Sequence, residues 1–339
     1  MTMSDAARPV IHLPARDIPV PASVSPEAQA VLALGKAGPP HRWPASPLPT
    51  VDDSDGWRAM IAAHEASVLE LFAQFGDVMA PTGDSLVEID LGGFPVYLVT
   101  PEGVSADDRR VYLDLHGGAW TLGSGPMCRA TAAITAATVG ARVCAVDYRM
   151  PPDHPFPVPL DDCLAAYRAL LREHRPEEIV VGGVSAGGNL AAALILRARD
   201  EGLPLPAAVV LNTPATDLTM AGDTWETNLG LDVVLTANAL PAAQLYAGGH
   251  DRSHPYLSPL FGDLAGFPPT LLLSGTRDLL LSDTVRMHRA LHTAGVPAEL
   301  HVFEAGGHGM FLGQAPEDRA HAGEIRRFAE SHWAASNRS

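Results

Sequence analysis

Ser185 stands alone among small residues in "VVGGVSAGGNL", residues 180–190. An apolar run leads into it, and a helix-like stretch, "LAAALILRARD", follows it. Gly183-Val184-Ser185-Ala186-Gly187 is a G-x-S-x-G pattern, which places a serine on a sharp strand-to-helix turn. Flanking glycines remove the Cβ atoms that would collide with the neighbouring strand and helix. A helix beginning at Gly187 points its first amide N–H groups at the same spot. Strain of this kind costs ~1–3 kcal/mol and is seldom kept without a use. An ordinary Gly-rich βα turn and a phosphate-binding loop are the competing readings. The segment lacks both the Lys-Ser/Thr of a P-loop and the G-x-G-x-x-G spacing.

A serine hydroxyl becomes a nucleophile only when a base takes its proton. Of the fourteen histidines, His308 is the candidate. It lies in "EAGGHGMF", a glycine-rich loop after a late strand and before the last helix, where the base falls when the order is Ser…Asp/Glu…His. His301, inside the strand "LHVFE", reads as structural, and His288 and His292 as surface residues of a helix. The base needs an acid to orient it and to stabilise its charged form. Asp278 follows the strand "TLLLSG" in "GTRDLLLSD" and is preferred over Asp283, which reads as the start or cap of the helix "SDTVRMHRAL". "LDLHGGAW" ends a strand in His116-Gly117-Gly118-Ala119-Trp120. Glycines there let backbone amides approach an oxyanion, and the amide of Ala186 adds a donor. His116 is expected to hold this loop in shape. In "DYRMPPDHPFP", Asp147 and Arg149 are expected to form an internal ion pair, and Asp161 and Asp162 to begin a helix.

These residues must be held by a scaffold, and the pattern supplies one. "LVEIDLGGFPVYLVTP" reads as two strands joined at Gly-Gly, and "RRVYLDLHGG" as a third strand. From "RVCAVDYR" onward, apolar strands alternate with amphipathic helices to the end of the chain. Such alternation means a parallel sheet covered on both faces, with function gathered at the carboxyl ends of its strands. Residues 218–248 lack strand texture and interrupt the order as a helical insertion. The first 50 residues are Pro-rich. In them "SPEAQAVLAL" reads as a short helix capped by Ser25 with Pro26 at its first position. "DDSDGWRAMIAAHEASVLELFAQFG" reads as an amphipathic helix.

With 339 residues, 47% of them hydrophobic, the chain can bury a sizeable core. Net charge is −16 and Lys36 is the only lysine. No basic stripe exists, so binding to nucleic acid or to an anionic membrane by charge is not expected. Three cysteines, Cys128, Cys144 and Cys163, lack CxxC spacing, and neither a disulfide framework nor a metal site is expected. A reducing, cytoplasmic compartment fits. No signal peptide or membrane-spanning run is evident. No cofactor is expected, and the sequence leaves a homodimer open.

"HGGAWTLGS", "VDYRMPPDHPFPVPLDD", "GGVSAGGNLAAA", "YLSPLFGDLAGFPPTLLLSGTRDLLLSD" and "GGHGMF", in this order across roughly residues 85–335, resemble the bacterial hormone-sensitive-lipase-like esterases of the α/β-hydrolase superfamily. The resemblance implies a mostly parallel eight-stranded sheet flanked by helices, with a helical cap. Residues 1–80 would be the N-terminal cap segment and 218–248 the cap insertion; 81–217 and 249–339 would form the catalytic core. It implies Ser185 as nucleophile, Asp278 as acid and His308 as base, and oxyanion amides at Gly118, Ala119 and Ala186 with Gly117 supporting the loop. The family usually has glycine where Ala119 stands, and an acidic residue or threonine where Val184 stands. The implied activity is hydrolysis of short- to medium-chain carboxylic esters through an acyl-enzyme. A small-molecule ester would enter an apolar slot with Trp120, Trp225, Leu229 and Leu235 among its walls. Ile18, Val20, Val31 and Leu32 of the N-terminal arm would cover it. Lactone hydrolysis, and cleavage of an amide or formamide, remain open on the same triad; "HGGAW" is also similar to the loop of kynurenine formamidases. A non-catalytic ligand receptor on this scaffold is the reading from a different class, and His308 argues against it.

Overall fold

The computed structural model describes residues 10–34, 48–79, 85–235 and 239–336. Its strands are β1 (Ser85–Asp90), β2 (Pro95–Thr100), β3 (Val111–Leu115), β4 (Arg142–Val146), β5 (Ile179–Val184), β6 (Ala208–Asn212), β7 (Thr270–Gly275) and β8 (Ala298–Phe303). They form one sheet in the order β1-β2-β4-β3-β5-β6-β7-β8. β2 pairs antiparallel with β1 and β4, and every other pairing is parallel. The helices are α1 (Pro26–Ala33), α2 (Ser54–Met79), α3 (Pro126–Val139), α4 (Val158–Glu173), α5 (Ala186–Asp200), α6 (Thr224–Thr227), α7 (Ala239–Ala247), α8 (Leu281–Thr293) and α9 (Pro316–Ser336).

Period-2 alternation divides the apolar strand residues between two cores. Leu113, Leu115, Val181 and Leu272 face the side covered by α4, α5 and α8. Tyr112, Val180, Leu271 and Leu273 face the side covered by α3 and α9. Burial on both faces explains why these strands read as unbroken apolar runs. Chain order reverses around β3, whose neighbours are β4 and β5. The loops after β3 and β5 therefore leave the sheet side by side, at the crevice where open α/β sheets bind ligands.

Ser25 caps α1 through its Oγ, which accepts from Ala28 N at 3.1 Å, with Pro26 at the first position. Val31 and Leu32 of α1 are buried against Met310, Phe311 and Ala315. They support the loop after His308 and do not roof the slot. Ile18 and Val20 are 45% and 38% exposed and are not among the residues that line the slot beside Ser185. Trp57 of α2 is fully buried with Leu122, Ala242 and Leu245, which joins α2 to α7. The 218–248 segment is less helical than its sequence suggests. Among the described residues of this segment only α6 and α7 form, and between them Gly230 adopts φ 81°. Parts of the expected cap segments, at 1–9, 35–47, 80 and 236–238, lie outside the described residues. Among the described residues no helix is long and apolar enough to cross a membrane.

Candidate active site

Ser185 sits between β5 and α5 with φ 58° and ψ −116°, a conformation L-residues rarely adopt. Its N–H donates to Asn212 O at 2.9 Å, and its carbonyl accepts from Asn189 and Ala215. The glycines permit the contact that makes this turn. A Cβ on Gly187 would lie 1.8 Å from Leu115 O and 2.6 Å from His116 O. Val184 packs under Gly117, whose Cβ would lie 3.2 Å from Val184 Cγ1.

The 116–120 loop is held by its carbonyls. Tyr148 Oη donates to His116 O at 2.8 Å, and the two rings stack at 4.1 Å. His116 Nδ1 lies 2.8 Å from Gly117 O, and Thr121 N and Leu122 N donate to Gly118 O. Gly118 has φ 116°, and a Cβ there would strike Leu122 O at 2.1 Å. With the carbonyls engaged, the amides of Gly118 and Ala119 have no protein acceptor among the described residues; nor has that of Ala186, at the first turn of α5. Ala119 and Trp120 follow at φ 51° and 59°. The loop is thus strained and pinned next to a strained serine.

Asp278 is fully buried in the turn after β7. Its Oδ2 accepts from Ser274 Oγ at 2.8 Å, and its Oδ1 from Leu280 N at 2.9 Å and His308 Nδ1 at 3.1 Å. A carboxylate only accepts, so Nδ1 carries the proton and Nε2 keeps its lone pair. Burial pushes the His308 pKa down. The charge and hydrogen bond of Asp278, then the charge of Asp232, outweigh burial and leave it raised. No hydrogen bond of ordinary geometry joins Ser185 Oγ to His308 among the described residues. Such bonds often tighten only when substrate is bound.

Asp283 is also fully buried, but it accepts from Asp217 N at 3.0 Å, away from His308. It lies inside the first turn of α8 and does not cap it, since Leu280 occupies the cap position. Burial, above all, raises its pKa to about 8. The expected Asp147–Arg149 pair does not form. Arg149 meets Asp162 in a fork, Nε to Oδ2 at 3.0 Å and Nη2 to Oδ1 at 2.7 Å. Asp147 instead accepts from Tyr97 Oη and Gly125 N. His116, Cys128 and Asp147 bring donor atoms within 4.8 Å of one another. Burial holds the Cys128 thiol well above its ordinary pKa.

Beside Ser185 is a narrow slot with a cavity volume of about 30 Å³, well below the usual range for ligand pockets. Trp120, Trp225 and Leu235 line it, together with Leu218, Met220 and Leu280. Leu229 does not; it is 49% exposed, because the neighbouring Asn228 turns inward to donate to Asp278 O and Thr276 O. Sequence reasoning passed over Asn228, Ser274 and Asp232. All three act on the backbone or side chains of the acid and base loops from positions with no motif of their own.

The family of the α/β-hydrolase fold matches residues 112–312, which span the loop after β3, the serine turn and both later loops. An acetyl-hydrolase of Streptomyces hygroscopicus is 37% identical over 225 residues, 66% of this chain and 73% of its own. An esterase of Acinetobacter venetianus is 33% identical over 231 residues, 67% of this chain and 76% of its own. The crystal structure of an esterase superimposes with a TM-score of 0.85 at 34% identity, covering 95% of this chain and 99% of that one. A further crystal structure, of an esterase from the bacterial hormone-sensitive lipase family, gives 0.75 at 31% identity over 91% of this chain and 99% of its own. With sequence and fold matched over this length, the chain belongs to the hormone-sensitive-lipase-like esterases of the α/β-hydrolase superfamily.

Proposed function

We propose that the chain is a serine carboxylesterase acting on small esters of short- to medium-chain acids, with Ser185 as nucleophile, His308 as base and Asp278 as orienting acid. The observation that carries this reading is the serine turn. A non-glycine residue is held at φ 58° at the head of α5, against the 116–120 loop, and the amides of Gly118, Ala119 and Ala186 have no protein acceptor among the described residues. His308 Nε2 takes the Ser185 proton as Oγ attacks the ester carbonyl. The imidazolium formed is stabilised by Asp278, which stays ionised. The amides of Gly118, Ala119 and Ala186 meet the oxyanion in a geometry set before substrate arrives. His308 then protonates the leaving alcohol, and water attacks the acyl-enzyme by the same route.

The slot supports small substrates. Each buried methylene contributes about 0.8 kcal/mol until the space is full, after which strain cancels the gain. The segments 1–80 and 218–248 act as the cap, a reading supported by the contact of α2 with α7 through Trp57. Three free, buried cysteines support a reducing, cytoplasmic compartment.

The test is a p-nitrophenyl ester series with a lactone and an anilide alongside, and Ser185→Ala as control. Turnover should peak at roughly two to eight acyl carbons, and Ser185→Ala should lose on the order of 10⁶ in kcat. A preference for the lactone or anilide would redirect the assignment. Full activity in Ser185→Ala would remove it.

A further inference from the structure

The carboxylate of Asp232 is 9% exposed and comes from the segment between α6 and α7, far in sequence from both later loops. Its Oδ2 accepts from His308 N at 3.0 Å and from Leu279 N at 3.3 Å. Its Oδ1 accepts from Val234 N at 2.8 Å and Leu235 N at 3.0 Å. One side chain thereby ties the backbone of His308, the residue after Asp278, and the slot-lining residue Leu235.

We propose that Asp232 is a positioning residue, which pins the loops carrying Asp278 and His308 at a fixed separation and ties both to the wall of the slot. This rests on the reading of Ser185, Asp278 and His308 as the reacting groups. Both oxygens accept two N–H groups each, the pattern of an ionised carboxylate; a carboxylic acid would have a proton to place and no acceptor for it. A second function follows from the charge. The charged groups acting on the His308 ring are Asp278 from the β7 loop and Asp232 from the cap segment, and both favour the imidazolium. Burial, then the charge of Asp278, raises the Asp232 pKa, while the charge of His308 and the amides of Val234 and Leu235 work against that rise. The imidazolium formed during attack therefore has two carboxylates close to it, one bonded to the ring and one to its backbone.

The substitution that separates charge from shape is Asp232→Asn, with Asp232→Glu as the charge-keeping partner. For wild type and both variants, thermal melting, kcat and KM for a p-nitrophenyl ester, and the rate of fluorophosphonate labelling at Ser185 are followed across the acid limb of the pH profile. Asp232→Asn is expected to lower kcat by ~10–10²-fold, to leave KM within about twofold, and to move the acid limb down by about one pH unit. Asp232→Glu should lower kcat but keep the wild-type limb. A folded Asp232→Asn with the wild-type limb and kcat overturns the proposal, as does an Asp232→Glu limb displaced as far as that of Asp232→Asn. If Asp232→Asn does not fold, Asp232→Glu decides alone: a lowered kcat with an unmoved limb supports the role, and a wild-type kcat or a displaced limb rejects it. A wild-type chain that is neither labelled at Ser185 nor active on esters fails the reading of the active site itself, and this proposal with it. A labelled, active wild type whose limb ignores Asp232 fails only the proposal.

Discussion

Gly187→Ala puts one methyl group where the serine turn meets the 116–120 loop. Its Cβ would lie 1.8 Å from Leu115 O, 2.5 Å from Leu115 C and 2.6 Å from His116 O. All three are backbone atoms, so no side chain can swing aside. Real Cβ contacts stop near 3.0 Å, and the head of α5 must part from the end of β3 by more than an ångström. Ala186 rides on α5, while Gly118 and Ala119 follow β3, so the amides proposed to meet one oxyanion are pulled apart. Losing one such donor costs roughly 2.7–4 kcal/mol, or about 10²–10³ in kcat. Overpacking adds about 1–3 kcal/mol of lost stability. Steady-state kinetics on a short p-nitrophenyl ester, normalised to folded protein by circular dichroism, measures the first, and thermal melting the second. Gly323→Ala is the control, since nothing lies within 4 Å of its would-be Cβ in α9. It should stabilise by about 0.5–1 kcal/mol without touching kcat. Near-wild-type kcat in a Gly187→Ala protein of unchanged melting temperature would refute the argument that these two loops share one tight contact.

Asp278→Asn should lower kcat by ~10⁴ with the fold retained, whereas Asp283→Asn should barely change kcat; the reverse ranking in the same ester assay would move the acid to Asp283. Asp283→Asn should also melt higher than wild type at alkaline pH, by roughly 2 °C or more, because the wild-type carboxyl, raised to about 8 chiefly by burial, loses stability as pH climbs toward that value. For His308, burial lowers the pKa but the charges of Asp278 and Asp232 prevail, so kcat/KM should fall on the acid side with a midpoint above 6.5; a limb below that value contradicts the electrostatics. By the same shift, the His308⁺–Asp278 pair stabilises the fold fully below the unfolded-state pKa and gives up that contribution as pH rises through the folded one, which melting against pH will show. Ala119→Gly removes a methyl group held at φ 51°, and should raise kcat/KM for esters of branched alcohols relative to linear ones, measured as a ratio; an unchanged ratio means Ala119 does not limit the alcohol side.

Ser185, Asp278 and His308, proposed as nucleophile, acid and base, stood out in the chain because each sits in a local pattern that only its own neighbours determine. Ser185 needs Gly183 and Gly187 beside it, and His308 and Asp278 each follow a strand whose apolar run is plain. The sheet was legible for the same reason, since burial on both faces writes itself into β3, β5 and β7. Arg149 was misassigned because its partner, Asp162, arrives on α4 in space, while Asp147 is claimed by Tyr97 and Gly125 from other elements. Asp232 left no trace, because a carboxylate that serves backbone amides imposes no residue type on its partners. The 218–248 segment looked helical from its alanines and leucines. The inward turn of Asn228 and the left-handed Gly230 override that propensity and point Leu229 outward.

The seat of His308 also dictates a sequence of events during synthesis. Ser25 bonds to Glu317 through both its N–H and its hydroxyl, across a separation of 292 residues, and Val31 and Leu32 need Phe311 to bury themselves. An eight-residue helix does not persist in water by itself. At ribosomal speeds of about 5–20 residues per second, α1 therefore waits roughly 15–60 s for the surface that completes it. The serine turn, built from β5 and α5, can form long before that. A nascent chain thus carries α1 and the serine turn before the histidine loop exists, and the site is completed as the last act of folding.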